Sequence, residues 1–280
     1  MVKVAVTGAN GRVGKKVVQE LLEHQHEVRA IDLHSWEGDV LIEHRIADIT
    51  NFKQIMQAIN GCDAVIHLAA IPGPRDDQDG EVFQNNVMGV YNVALACGLS
   101  GIHRLAIASS DCALGFAMAH QKINPVYLPF DENHPAAPDD GYGLSKLVGE
   151  QVAKGIAKRF GMSIASLRIS AAIKPEEYLS DSFIEHTTSL KPSGNFWSYT
   201  DIRDCARAFR LAIEADLQGH EVFHIMAKYS SSAIPSQQLI DLYYPNIPLN
   251  KQYTANESFH DCSKAEKILG FVPKYRWDVD

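Results

Sequence analysis

Tyr142 and Lys146 stand four apart in Tyr142-Gly143-Leu144-Ser145-Lys146. On a helix that spacing makes the two side chains neighbours on one face. A phenol titrates at about 10 and is a poor base at neutral pH. An adjacent ammonium stabilises the phenolate, as does the positive charge of an oxidised nicotinamide. The expectation is a Tyr142 of lowered proton affinity that can accept or donate a proton. Proton transfer of this kind goes with hydride transfer, and a hydride needs a carrier.

The stretch from Val2 to Asp32 describes a place for that carrier. Val2, Val4 and Val6 alternate with Lys3 and Ala5, Thr7 to Gly14 reads T-G-A-N-G-R-V-G, a helical run follows, and a second apolar run ends at Asp32. Strand, glycine-rich turn, helix, strand and acid is the order of a dinucleotide site. Gly8 is expected to make the tight turn, Gly11 to let the backbone approach a pyrophosphate, and Gly14 to let the helix pack close to the strand. Asn10, Arg12 and Val13 fill the turn and the helix N-terminus, whose N–H groups attract phosphate. Asp32 closes the second strand, where it can accept hydrogen bonds from the adenosine ribose. A carboxylate there favours NAD over NADP by repelling a 2′-phosphate. Arg12 is the opposing signal, since a guanidinium could pair with that phosphate.

These residues need a scaffold, and the first half of the chain supplies one. Helix periodicity covers Arg12–Glu23, Asn51 to Ile59, Glu81–Cys97 ending at Gly98, and Tyr142–Phe160 ended by Gly161. Strands are expected at Glu27–Asp32, Glu43–Ala47, Ala64–Ala70, Leu105–Ser109 and Ser163–Ile169. Strand–helix repetition implies a parallel sheet with helices on both faces. After Ile169 the pattern loosens. A helix at Asp204–Ala215, a strand at Glu221–Met226 and a short helix at Lys264–Leu269 before Gly270 are the elements expected there. The chain divides at this level into residues 1–169, carrying the cofactor and catalytic groups, and a smaller lobe, 170–280, that closes over the cofactor and returns one strand, 221–226, to the main sheet.

The 280 residues are 46% hydrophobic and 21% charged, which is enough for a full core. The net charge of −8 comes without a basic cluster, so neither nucleic acid nor an anionic membrane is an expected partner. No apolar run approaches the roughly 20 residues of a membrane span. The chain enters a strand at Val2, so no leader segment is expected. The five cysteines are odd in number and widely spaced, as in a reduced cytoplasmic protein. No metal site is expected among the histidines.

In order along the chain, Thr7–Gly14, Asp48-Ile49, His67-Leu68-Ala69-Ala70, Asn85-Asn86-Val87-Met88-Gly89, Ser109-Ser110, Tyr142–Lys146 and the tail Asp261-Cys262-Ser263-Lys264-Ala265 with Leu269-Gly270-Phe271 form a set. Together they resemble the extended short-chain dehydrogenase/reductase superfamily, of the NAD-dependent epimerase/dehydratase type. The resemblance implies an α/β fold: a doubly wound parallel sheet of Rossmann type with a smaller C-terminal substrate-binding lobe. It implies that Ser110 hydrogen-bonds the reacting oxygen, that Tyr142 exchanges its proton, and that Lys146 holds the nicotinamide ribose and tunes Tyr142. Asn86 would organise the helix and a water behind the site. Asp48 and Ile49 would contact adenine, with Leu68, Ala69, Ala70 and Ala108 completing the cofactor wall. Asp111 and Cys112 fall where some members place extra acid or base groups. Members often form homodimers through helices like Glu81–Cys97 and Tyr142–Phe160.

The substrate half departs from the members that act on nucleotide-sugars. Their arginine before the late helix corresponds to Trp197, the asparagine after their sixth strand to Ala171, and Gln252-Tyr253-Thr254-Ala255-Asn256 holds no second arginine. A partial resemblance to uronate dehydrogenases runs through Ala108–Gly115, Tyr142–Glu150 and Arg168–Glu176, but Leu179 stands where their carboxylate-binding arginine falls. Arg203, Lys174, Arg75 and His186 are the candidates for a substrate anion. Asp111, Cys112, Ala171 and Trp197, with Ser110, are the expected substrate contacts. The reading is an NAD-dependent oxidoreductase of a small polar substrate, a sugar or sugar acid. The alternatives are a nucleotide-sugar epimerase or dehydratase that recycles its NAD, and a non-catalytic NAD(H) sensor.

Overall fold

In a computed structural model, which describes residues 1–73, 79–121 and 123–278, the elements run in order as follows: β1 (Lys3–Thr7), α1 (Arg12–Glu23), β2 (Glu27–Asp32), β3 (Glu43–Ile46), α2 (Phe52–Ile59), β4 (Ala64–His67), α3 (Asp79–Leu99), β5 (Arg104–Ser110), α4 (Gly141–Phe160), β6 (Ser163–Ile169), β7 (Ala172–Ile173), α5 (Asp181–Thr188), β8 (Thr200–Asp201), α6 (Ile202–Glu214), β9 (His220–Ile225), α7 (Ser236–Tyr243) and α8 (Ser263–Leu269). Seven strands form one parallel sheet in the order β3-β2-β1-β4-β5-β6-β9. The order reverses between β1 and β4, so a crevice opens at their C-terminal ends, where open α/β sheets bind ligands.

Strand alternation sorts the core into two layers. Val4 and Val6 of β1 face α1, α6 and α8, where Val17, Leu21, Phe209 and Phe271 are buried with them. Ala5, between them, faces α2, α3 and α4 with Ile55, Val93 and Ile156. Side chains cap α2 and α4 of the second layer at their starts. Asn51 accepts the Gln54 N–H at 3.2 Å, and Asp140 accepts that of Gly143 at 2.8 Å. α4 ends at Gly161 in the left-handed region, as its position past the periodic run predicts.

Several boundaries differ from expectation for visible reasons. α3 runs through Gly98 to Leu99, because this glycine makes room for Phe160: a Cβ there would lie 2.5 Å from the ring. β4 stops at His67, and Leu68 to Ala70 leave the sheet to line the crevice. α6 starts at Ile202, since Asp201 caps it by accepting the Arg203 N–H at 2.9 Å. β9 lies at His220–Ile225, paired with β6. The second layer of the lobe was not foreseen. Leu114, Leu128 and Phe130, from between β5 and α4, pack with Phe196, Trp197, Leu239, Tyr253 and Phe259 in a separate cluster. Among the described residues no helix is long and apolar enough to cross a membrane.

Candidate active site

The glycine turn closes β1 onto α1. Gly8 has φ +69° and passes so near Ala69 that a Cβ would lie 2.7 Å from its amide nitrogen. A Cβ on Gly14 would lie 2.1 Å from the Gly8 carbonyl oxygen, so the helix can approach the strand this closely only with glycine there. No side chain caps α1 and no carboxylate lies in its first turn, whereas α2, α4, α5 and α6 each carry a side-chain cap. The α1 N-terminus therefore faces the crevice with its N–H groups available to an anion. Asp32, at the end of β2, is held by the Asn10 N–H at 2.9 Å and the Leu33 N–H at 2.8 Å.

This crevice is a cleft of 1510 Å³, larger than the roughly 300–1,000 Å³ of a single small-molecule site. Gly8, Asn10, Gly11, Arg12, Val13, Gly14, Asp32, Asp48, Ile49, Leu68, Ala69 and Ala70 line one end; Ser110, Asp111, Cys112, Tyr142 and Ala171 line the other. Arg12 spans it. Its Nε donates to the Ala172 carbonyl at 2.8 Å and its Nη2 to the Glu177 carboxylate. That pairing occupies the guanidinium that could otherwise have met a 2′-phosphate.

Lys146, Asn86 and Ala108 are not on the cleft wall. They surround a small cavity of about 10 Å³ behind it, with His67, Ser109 and Glu150, close to the least volume that holds one water. Lys146 Nζ donates to the Ala108 carbonyl at 2.9 Å and lies 5.4 Å from the Tyr142 ring centre. Burial lowers the lysine to about 8. Asn86 ties the chain after β4 to α4: its Oδ1 accepts the Ile71 N–H at 2.8 Å, and its Nδ2 donates to Ile71 O and to Ser145 Oγ. Beneath lies a closed ion pair. Arg168 donates through Nε and Nη2 to Glu150, each at 2.8 Å, and Ser109 Oγ donates to Glu150 at 2.6 Å.

Two expectations need correction. The first is that Tyr142 has a lowered proton affinity. Burial raises it instead, with the nearby Cys112 and Asp111 adding to the effect; Lys146 alone does not outweigh desolvation. The second concerns Trp197, expected at the substrate. It is fully buried in the lobe, near Tyr243 and Phe259. Phe196 and Trp197 adopt φ of +55° and +50°, a strained pair for bulky side chains. The turn preceding them, Ser193 to Asn195, reaches the cleft instead.

The anion candidates separate clearly. Arg203 is taken by Asp201, at 2.9 Å and 2.8 Å, and lies over the Tyr275 ring. Lys174 is not among the residues lining the cleft and sits 3.9 Å from Glu176. Arg75 lies outside the described residues. His186, on α5, does line the cleft, but burial lowers its proton affinity, so it is neutral rather than cationic. Sequence reasoning missed Ser170, Glu177 and the Ser193–Asn195 turn, which carry no motif and enter the cleft only through the lobe's path.

Among the histidines, His220-Glu221-Val222-Phe223-His224 has the H-E-x-x-H spacing. On a helix this places two imidazoles together on one face. Here it is β9, where residues four apart are separated by roughly 13 Å, so the two rings cannot share a metal. His220 instead meets Ser166 Oγ at 2.9 Å, and His224 meets His260 at 3.4 Å.

Residues 4–225 match the model of a family described as the NAD dependent epimerase/dehydratase family. The chain belongs to this family. Among its relatives, the L-arabinose 1-dehydrogenase (NAD(P)(+)) of Haloferax volcanii is 32% identical over 78% of this chain and 84% of that protein. A uronate dehydrogenase of Pseudomonas syringae pv. tomato is 28% identical over 61% of this chain and 59% of its own length. The fold is also that of a short-chain dehydrogenase/reductase superfamily protein from Agrobacterium tumefaciens solved with bound NAD. That structure superposes at a TM-score of 0.76 with 22% identity, covering 99% of this chain and 94% of that one.

Proposed function

We propose that the protein is an NAD-dependent oxidoreductase that oxidises a hydroxyl of a sugar or sugar acid to a carbonyl. The observation that carries this reading is the convergence of Ser110 and Tyr142, with Lys146 behind them, on the cleft that begins at the α1 N-terminus. The relatives named as sugar and uronate dehydrogenases support it. Bound NAD+ would supply the hydride acceptor. Asp48 and Ile49 would hold its adenine, Asp32 its ribose hydroxyls, the α1 N-terminus its pyrophosphate and Lys146 its nicotinamide ribose. Asp32 and the engaged Arg12 both favour NAD over NADP.

The phenolate of Tyr142, its own proton released to solvent, would take the proton of the substrate hydroxyl as the hydride leaves the carbon that bears that hydroxyl. Because burial makes Tyr142 hold its own proton tightly, it becomes a base only when the charge of Lys146 is joined by that of an oxidised nicotinamide. Ser110 Oγ steadies the substrate oxygen, and Asn86 fixes the frame on which α4 carries Tyr142. Residues 1–169 form the cofactor part in this reading. Residues 170–280 form the substrate lobe, with β9 and α6 packed back on the sheet. The exposed apolar side chains of α3 and α4, Phe83, Met88 and Leu144 among them, support a homodimer through these helices. Five free cysteines support a cytoplasmic setting.

The test is near-ultraviolet absorbance of the purified protein with NAD+ and a panel of aldoses, uronates, polyols and nucleotide-sugars. Net NADH from a sugar or uronate is the expected result. Conversion of a nucleotide-sugar without net NADH would instead assign internal recycling of the cofactor.

A further inference from the structure

Arg12 joins the cofactor half of the cleft to the first turn of the lobe. It is the first residue of α1, and its two acceptors lie beyond β6: the Ala172 carbonyl, which takes Nε at 2.8 Å, and the Glu177 carboxylate, which takes Nη2. β1 and β6 are three places apart in the sheet, or roughly 14 Å at ordinary strand spacing. Between them stand β4 and β5, whose ends carry Leu68 to Ala70 and Ser110 on the cleft wall. A dinucleotide laid from the α1 N-terminus toward Tyr142 follows those strand ends, so Arg12 and Glu177 bridge the path it takes. Both side chains line the cleft, and both are also open to solvent, at 43% and 36% exposure.

Each end of the bridge is fixed by its own element. Glu177 sits on the short turn Pro175–Leu179, where its carboxylate also accepts the Lys174 N–H at 2.7 Å. The next residue, Tyr178, is buried and donates its hydroxyl at 2.8 Å to Asp201, the cap of α6. Burial raises the Glu177 carboxyl, but the Lys174 N–H and the Arg12 guanidinium outweigh it and leave the group below its usual value, ionised at neutral pH. The crossing is made by the Arg12 side chain alone, between two anchored elements. An ion pair this open to solvent is weak and screened by salt, which suits a contact that breaks and re-forms.

We propose that Arg12 and Glu177 form a strap across the crevice that parts each time NAD(H) enters or leaves, so that Glu177, acting through Arg12, sets the rate of cofactor exchange. This rests on the reading that the crevice holds NAD, and it deepens that reading. Net oxidation releases one NADH per turnover, so the strap opens in every cycle, and release steps of this kind commonly limit kcat. A strap that closes over the cleft before and after binding slows entry and exit alike and leaves the equilibrium affinity unchanged.

The experiment is stopped-flow fluorescence of NADH binding, and of NADH displacement by excess NAD+, which needs no substrate. Glu177→Gln is expected to raise kon and koff together by about 3–10-fold, with Kd within a factor of about two of the parent. Salt at about 0.5 M should speed release from the parent and narrow its gap to Glu177→Gln. Arg12→Leu removes both arms of the strap, and the double variant Arg12→Leu/Glu177→Gln should release NADH no faster than Arg12→Leu alone, since the two side chains act as one contact. Unchanged rates in Glu177→Gln, or single effects that multiply in the double variant, overturn the strap and leave the oxidoreductase reading standing. So does slower release with a lower Kd, which would mean that Glu177 draws Arg12 away from the pyrophosphate. A protein that binds no NADH at all defeats the oxidoreductase reading and this proposal together.

Discussion

At the cofactor end, the cleft wall is mostly main chain: the Gly8 turn, the uncapped start of α1 and the segment after β4 that Gly8 touches. At the substrate end it is mostly side chains, drawn from β5, α4, the strand-end Ser170 and Ala171, α5 and the Ser193–Asn195 turn. A wall of backbone depends on a few glycines within one short stretch and changes little with the rest of the sequence. A wall of side chains can be rewritten one residue at a time, so one cofactor site can serve many substrates. Gly8 and Gly14 illustrate the first kind of wall, Asp111 and His186 the second.

Substitutions put this division to the test. The steepest loss should come at Tyr142, where the halves meet. Tyr142→Phe should lower kcat by about 10²–10⁴-fold with NAD+ affinity within a factor of about two of the parent, read by steady-state kinetics and a binding titration; loss of cofactor binding would place Tyr142 in the cofactor wall instead. Next is the ion pair under both halves. Arg168→Leu leaves Glu150 buried and uncompensated, and should cost about 3–5 kcal/mol in urea unfolding. Acid acts on the same core through its neutral histidines. Burial holds His67, beside Thr7 and Lys146, and His260, beside His224 and facing Arg168 and His134, at about 3. A depressed histidine stabilises the fold fully above its unfolded value of about 6.5 and loses that contribution as pH falls toward 3. Each imidazole should remove on the order of 2 kcal/mol by pH 5, measurable as a fall in Tm; a flat Tm from pH 7 to 5 would contradict their burial in the neutral form. The mildest change probes the backbone wall itself. Gly14→Ala forces its Cβ against the Gly8 carbonyl and should cost roughly 1–3 kcal/mol, with a weaker NAD+ Kd and an unchanged order of preference among substrates.

The legible parts of this fold were those that repeat a local rule. β6 runs from Ser163 to Ile169 in both sequence and structure, and α1 from Arg12 to Glu23, since apolar periodicity with a glycine or capping residue at the ends decides both. The parallel sheet followed from strand–helix repetition. Gly98 misled as a helix stop, because its reason is the ring of Phe160, at the far end of α4. β7, β8, α5 and α7 are two to eight residues long and too short for periodicity to register. Trp197 was misplaced because correspondence to an arginine position says nothing about the left-handed turn that carries the ring into the lobe.

Local sequence was enough to specify the cofactor turn, the alternation of strands and helices around it, and the pairing of Tyr142 with Lys146 on one helix, because each depends on residues within a few turns of chain. The folded chain was needed to show that Arg12 is bound to Glu177, that Tyr142 is made a weaker acid by burial, and that Asp111 and His186 line one cleft. Hydrogen-bond partners and desolvation depend on what lies nearby in space, and here those neighbours come from segments far apart in the chain.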